Sequence, residues 1–320
     1  MERLQVGSLS VGSGEKVSGY LPVAGVENEM PVILIGGSGP GRTVLVTGGI
    51  HNAEYVGIEA AIRLGRELDP RHIRGNVIVV PLVNRSGFSH RTMSMVYEDG
   101  KNLNREFPGN PEGTAAEKIC DAVVKELHKK ADYYIDLHCG DGYEELIPYA
   151  YYAAAAPGET GAVSRQMACR VDSGYIVASG LLTGGSYNYA AGCGIPSILI
   201  ERGCMGRWSE AEVEADQKDV KNILRFLGVL DDGGQAIEYF PREIANVHYI
   251  NAAETGCWYP RFHAGDRFRK GEVLGVVKDF FGQEMETCTA LCDGIILYQT
   301  ASLNVLKGGP MIAYGEYPAD

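Results

Sequence analysis

The sequence predicts an α/β protein: a mixed, mostly parallel sheet covered by helices, with a small C-terminal β-barrel or sandwich appended. Three observations carry this. Short apolar runs alternate with helical periodicities through the first two-thirds of the chain. That helical period fades after Asp231-Asp232-Gly233-Gly234. From about residue 240 onwards, β-like pieces follow one another between Gly-containing turns. A chain of 320 residues with 45% hydrophobic content can bury two cores, and the break divides it into 1–235 and 236–320.

Each element has its own signal. Val44 to Gly49 (VLVTGG), Asn76 to Val83 (NVIVVPLV), Tyr133 to Leu137 (YYIDL) and Ser197 to Ile200 (SILI) are near-continuous apolar or β-branched runs. Such runs suit strands buried on both faces. Between them, Gly57 to Leu68 places Ile58, Ala61, Ile62 and Leu68 near one helical face. Gly113 to Lys129 is a longer helix, with Thr114 and Glu117 at the spacing of a capping box. Ser209 to Leu230 is acidic at its start and carries Lys221 and Arg225 towards its end, as the helix dipole favours. The C-terminal pieces are CWYPRF, HAGDRFRKGEVLGVVKD, FFGQEMETCTA, LCDGIILYQ and KGGPMIAYGE. No 20–50-residue repeat interrupts this order.

Composition excludes several classes. The net charge is -12, from 41 acidic against 29 basic residues, and no basic run offers a nucleic-acid or membrane footprint. The start MERLQVGSLSVGSGEKVSG lacks the apolar stretch of a secretory signal, and the apolar runs are too short to span a bilayer. A cytoplasmic location is the expectation. The eight cysteines form no CxxC pair, which reads as reduced thiols rather than disulfides or a zinc ribbon. No G-x-S-x-G elbow points to a serine hydrolase.

Chemistry-bearing residues cluster at strand ends. His51 and Glu54 follow Gly48-Gly49 at the end of a buried strand, where open α/β sheets place their ligands. They can converge on one ion, and the glycines allow the sharp turn before them. Asp136 and His138 share one face of the next strand by their period-2 spacing. Catalytic zinc takes three protein ligands and keeps one open position, and two His with one Glu is a common set. Asp136 can orient a ligand from behind. Alone, the first pair reads as a surface pair and the second as a structural His–Asp contact. Arg105, in the polar loop Asp99 to Gly109, can hold a substrate carboxylate bidentately, and Arg91 can polarise a carbonyl. Glu201 ends the apolar strand Gly194 to Glu201, where burial raises a carboxyl towards general-base range and pairing with Arg202 would lower it.

Taken together, GGIHNAE (48–54), NLNREFPG (102–109), DLH (136–138) and ILIERG (198–203) resemble the succinylglutamate desuccinylase/aspartoacylase family of the zinc carboxypeptidase superfamily. The resemblance covers roughly residues 40–230, and the C-terminal part resembles that family's second domain. It implies a zinc-carboxypeptidase-like fold and one Zn2+ per chain, held by His51, Glu54 and His138. It implies Asn104 and Arg105 as the substrate-carboxylate clamp, Arg91 as the oxyanion stabiliser, and Glu201 as the base that later protonates the leaving amine. Two positions depart from the family pattern: Asn52 stands for the usual Gly and Asn102 for the usual Asp. The C-terminal stretch also resembles a lipoyl/biotinyl-like barrel-sandwich but has no lysine at a hairpin tip, so walling the active site or forming a subunit contact is expected of it.

The expected activity is hydrolysis of the amide of an N-acyl amino acid, a small-molecule substrate. A metallocarboxypeptidase acting on peptides is the alternative, and a non-catalytic binding protein on the same fold is the alternative of another class. A homo-oligomer is compatible with the sequence; nucleic-acid and membrane partners are not expected.

Overall fold

A computed structural model describes residues 3–317. Its main sheet has nine strands: β1 (Lys16–Pro22), β2 (Glu29–Gly36), β3 (Gly39–Gly48), β4 (Arg74–Val80), β5 (Tyr133–His138), β6 (Tyr149–Ala153), β7 (Tyr175–Ser179), β8 (Ser197–Glu201) and β9 (Arg242–Ile244). Their spatial order is β9-β7-β6-β8-β5-β3-β4-β2-β1. The five contacts β9/β7, β7/β6, β8/β5, β5/β3 and β3/β4 are parallel, and the other three are antiparallel. The sheet is therefore mixed and mostly parallel, as the continuous apolar runs predict. The hairpin β1–β2 and strands β6, β7 and β9 complete it beyond the four runs named from sequence.

Alternation along the central strands feeds two cores. Val44, Val46, Ile135, Leu137, Ile198 and Ile200 face one layer, and Leu45, Tyr134 and Leu199 face the other. Three helices cover the first layer: α1 (Tyr55–Glu67), α4 (Thr160–Ala168) and α6 (Glu210–Phe226). Of the remaining helices α2 (Arg85–His90), α3 (Ala115–Glu126) and α5 (Ser186–Gly192), the last two cover the second layer. At the start of α3 the Glu117 carboxylate accepts from the Thr114 backbone N–H at 2.7 Å, the predicted reciprocal cap. Ser209 caps α6 by accepting from the Glu212 N–H.

The C-terminal region forms two antiparallel sheets. One contains Val247–Asn251, Pro310–Glu316, Gly294–Thr300 and Arg267–Phe268, and the other Glu284–Thr289, Val273–Lys278, Gly256–Pro260 and Asn304–Val305. Trp258, Leu274 and Val277 of one meet Ile296, Met311 and Tyr314 of the other in a single core. Neither sheet closes on itself among the described residues. The short strand Glu144–Leu146, which follows β5, adds to the edge of Gly294–Thr300 and ties the two regions together. No helix among the described residues is long and apolar enough to cross a membrane.

Candidate metal centre and active site

Strands β8, β5 and β3 lie side by side and run parallel, so their carboxyl ends open onto one place. In register, Glu201 is paired with His138 and Leu137 with Gly48. Beyond β3 the chain turns through Gly49 at φ 63°, a left-handed conformation that glycine adopts without strain. His51 follows, and Glu54 stands at the start of α1. Gly57 lets that helix approach β5: a Cβ there would lie 2.8 Å from the Leu137 carbonyl oxygen. The contact seats Glu54 against the end of β5, next to His138.

The three side chains converge. His51 Nδ1 lies 2.7 Å from Glu54 Oε1, and His138 Nδ1 lies 2.8 Å from Glu54 Oε2. The two rings stand perpendicular with centroids 5.0 Å apart, and one ligand atom from each of the three residues lies within 4.8 Å of the others. Glu54 and His138 are only 3% and 1% exposed, so these polar atoms need partners inside the protein. The Cys139 N–H donates to Glu54 Oε2 at 3.1 Å. Burial pushes the Glu54 carboxyl up, but the His138 and His51 imidazoles outweigh it and hold the group at about 2. Burial likewise disfavours a charged His138, and the Glu54 and Asp136 carboxylates overturn that, raising it well above the ordinary imidazole range. A carboxylate held ionised between two inward-turned ring nitrogens is a donor set that fits a divalent cation.

Behind the donors, the two imidazoles are supported differently. Asp136 Oδ2 lies 3.2 Å from His138 Nε2, and Asp136 Oδ1 accepts from Thr47 Oγ1 at 2.6 Å. Thr47 and Tyr134 continue that network to Ser186 and His128. For His51 the supporting group is Asn102, whose Oδ1 lies 3.0 Å from His51 Nε2 and also accepts from the Asn104 N–H. The position that departs from the family pattern is thus in contact with a candidate ligand, which sequence spacing alone does not reveal.

The centre forms one end of a cavity of about 900 Å³. Glu201 lines it, with Oε2 buried and unpartnered. Burial and the nearby Glu54 push its carboxyl well above the usual range. The ion pair with Arg202 considered from the sequence does not form: Arg202 points to the other side of the strand and pairs with Asp216 at 3.0 Å and with Asp219. Asn104 and Arg105 also line the cavity, Asn104 Oδ1 accepting from the Ser186 N–H at 2.9 Å. Arg105 Nη1 donates to the Asn104 carbonyl and forms no ion pair with another described residue.

Arg91 is placed differently from expectation. It ends α2 in a left-handed conformation, φ 56°, is exposed, and does not line the cavity. The expectation that it polarises the scissile carbonyl is therefore not met by this arrangement. The lining also includes residues with no motif to announce them: Tyr149, Tyr151 and Tyr187 from the main domain, and Tyr249 and Tyr298 from the C-terminal sheet. The C-terminal region walls the site.

The chain is similar to known proteins in sequence and in fold. Residues 40–227 match the family model of the succinylglutamate desuccinylase/aspartoacylase catalytic domain. Over 136 residues the chain is 38% identical to the N-alpha-acetyl-L-2,4-diaminobutyric acid deacetylase of Halomonas elongata, a match spanning 41% of this chain and 39% of that protein. The fold superposes with a TM-score of 0.85 on the product-bound ectoine utilization protein EutE (DoeB) of Ruegeria pomeroyi, at 23% identity over 94% of this chain and 95% of that one. A succinylglutamate desuccinylase/aspartoacylase of Rhodobacter sphaeroides superposes at 0.82, with 25% identity over 95% and 96% of the two chains.

Proposed function

Because this chain belongs to the succinylglutamate desuccinylase/aspartoacylase family, we propose that it is a zinc-dependent deacylase cleaving the amide bond of an N-acyl amino acid. The observation that carries the reading is the meeting of His51, Glu54, His138 and Glu201 at the ends of three adjacent parallel strands. The deacetylase name of the Halomonas relative supports the same reaction class. Residues 1–235 are read as the catalytic domain and 236–320 as the domain that closes the cavity.

His51, Glu54 and His138 would hold the ion. Zinc bound there acidifies water to a pKa of about 7 and polarises an amide carbonyl. The protein's own groups do the rest. Arg105, kept in place through the Asn104–Ser186 contact, pairs with the substrate carboxylate and sets the scissile bond at the metal end of the cavity. Glu201, in register with His138 and lining the same cavity, would take the proton of the attacking water, and its raised affinity for a proton suits it to carry that proton to the leaving amine nitrogen.

Metal analysis of the purified protein, run with hydrolysis assays on N-acyl amino acids and short peptides, tests the reading. About one zinc per chain and preference for the N-acyl amino acids are expected. Glu201→Gln should keep the zinc and lower kcat by about 10²–10⁴-fold. A metal-free protein, or a Glu201→Gln variant that loses its zinc, would overturn the assignment of roles.

A further inference from the structure

We propose that zinc affinity at His138 is set by a one-way chain of buried hydrogen bonds running from His128 through Ser186, Tyr134 and Thr47 to Asp136, with Ser186 and Tyr134 as its positioning residues. This deepens the deacylase reading and rests on its metal site. The links measure 3.2 Å from His128 Nε2 to Ser186 Oγ, 2.8 Å on to the Tyr134 hydroxyl, 2.7 Å to Thr47 Oγ1 and 2.6 Å to Asp136 Oδ1. Asp136 Oδ2 then lies 3.2 Å from His138 Nε2. None of these chain residues is more than 2% exposed, so solvent does not compete for their protons.

The direction of the chain follows from counting protons. A hydroxyl has one proton to give. Thr47 gives its proton to Asp136 Oδ1, so the Tyr134 hydroxyl must donate to Thr47. With that proton committed, Ser186 must donate to Tyr134, and His128 Nε2 must donate to Ser186. The imidazole fits this assignment. Burial lowers His128 to about 4 against the opposing pull of Asp136, so at neutral pH the ring has a single N–H. Its Nδ1 is buried without a partner, as expected of a ring whose proton is on Nε2.

Ser186 is where this chain meets the other half of the site. It opens α5, and its backbone N–H donates to Asn104 Oδ1 at 2.9 Å. The Asn104 N–H in turn donates to Asn102 Oδ1, which lies 3.0 Å from His51 Nε2. The groups behind both imidazoles therefore converge on one serine, its hydroxyl on the His138 side and its amide on the His51 side. Hydrogen bonds aligned in one direction polarise one another and strengthen the last of them, the bond that fixes Asp136 facing His138. A fixed carboxylate behind a ligating imidazole holds the ring in place and makes it a better donor to a cation. Neither Ser186 nor Tyr134 lines the cavity, so any effect of theirs on zinc has to travel through the chain.

The test is zinc affinity, measured by competition with a chelator, beside thermal unfolding of the metal-free protein. Tyr134→Phe should weaken zinc binding about three- to tenfold, less than the loss of a group directly behind a ligand. Ser186→Ala should weaken it about two- to fivefold, and the double variant no more than Tyr134→Phe alone, because links upstream of a break no longer reach Asp136. Thr47→Val removes the last link and should weaken zinc about tenfold, while Thr47→Ser, which keeps the hydroxyl, should stay within about twofold of the unaltered protein. A network that only holds the fold lowers the melting temperature of these variants and leaves zinc affinity where it was. Unmoved affinity in both Tyr134→Phe and Thr47→Val, or losses that multiply in the double variant, overturns the proposal. Nitrogen NMR of the metal-free protein should find the His128 proton on Nε2; a proton on Nδ1 instead reverses the chain and overturns it as well. Hydrolysis is followed separately: zinc that responds to Tyr134→Phe without any deacylation counts against the deacylase reading alone, whereas a protein that binds no zinc sinks both.

Discussion

The metal-side wall of the cavity draws His51, Glu54, His138 and Glu201 from the ends of adjacent strands of one sheet, whereas the opposite wall draws Tyr249, Tyr298 and Glu316 from a separate antiparallel sheet. On the metal side, the groups that orient the donors are themselves tied down: Asp136 by Thr47, Glu54 by the Cys139 N–H, Asn102 by the Asn104 N–H. On the opposite side the ties run among lining residues themselves: the Tyr249 hydroxyl meets that of Tyr151 at 3.2 Å, and Glu316 accepts from Asn246 at 2.9 Å. The difference teaches a division of labour. On the proposed reading, groups that would meet an ion within tenths of an ångström sit on hydrogen-bonded strand ends. Groups that would contact the substrate sit where one region leans on another, so they can vary without disturbing the chemistry.

Variants can break or sharpen this contrast. The largest effect is expected from His138→Ala, which should abolish zinc retention and lower kcat/KM by about 10³-fold or more, the several kcal/mol that a Lewis acid contributes. Metal analysis before and after dialysis checks it, and retained stoichiometric zinc would remove His138 from the donor set. On the same wall but one step back, Asp136→Asn should weaken zinc binding by about 10- to 100-fold, measured by competition with a chelator. Arg105→Ala belongs to substrate binding instead: it should raise KM by about 10- to 100-fold with zinc content unchanged, because a charge-assisted contact is lost.

Smaller effects discriminate more finely. Asn102→Asp should tighten zinc binding by up to about tenfold, since a carboxylate behind His51 strengthens the ring as a donor. An unchanged chelator competition curve would show that Asn102 holds only its loop. Smallest of all, Tyr298→Leu should leave the zinc content unchanged and raise KM about two- to fivefold, the scale of one aromatic contact in the cavity wall. If Tyr298→Leu instead displaced zinc, the two walls would not be separable.

Much of the metal side was legible from the chain. Buried parallel strands announce themselves as unbroken apolar runs, and a His, Asp or Glu at the end of such a run stands out against them. The same reasoning could not follow Arg202, because whether it pairs with Glu201 depends on what α6 presents across the strand, namely Asp216 and Asp219. Arg91 illustrates a second limit. A position in a loop of unusual length has no periodicity to aim it, and the left-handed turn at the end of α2 leaves it outside the cavity. Glu144 lies in an edge strand of only three residues, whose inward face is decided by its pairing with residues 298–300.

Sequence by itself determined the helix-covered mixed sheet, the cap of α3 and the strand-end placement of the candidate metal donors, since these depend on alternation, helical period and local turns. Only the tertiary structure decided that Asn102 backs His51, that Arg202 leaves Glu201 unpaired, and that a distant antiparallel sheet closes the cavity around Glu144 and the tyrosines. Contacts between side chains of different elements are set by how whole layers pack, and no local pattern of side chains records that geometry.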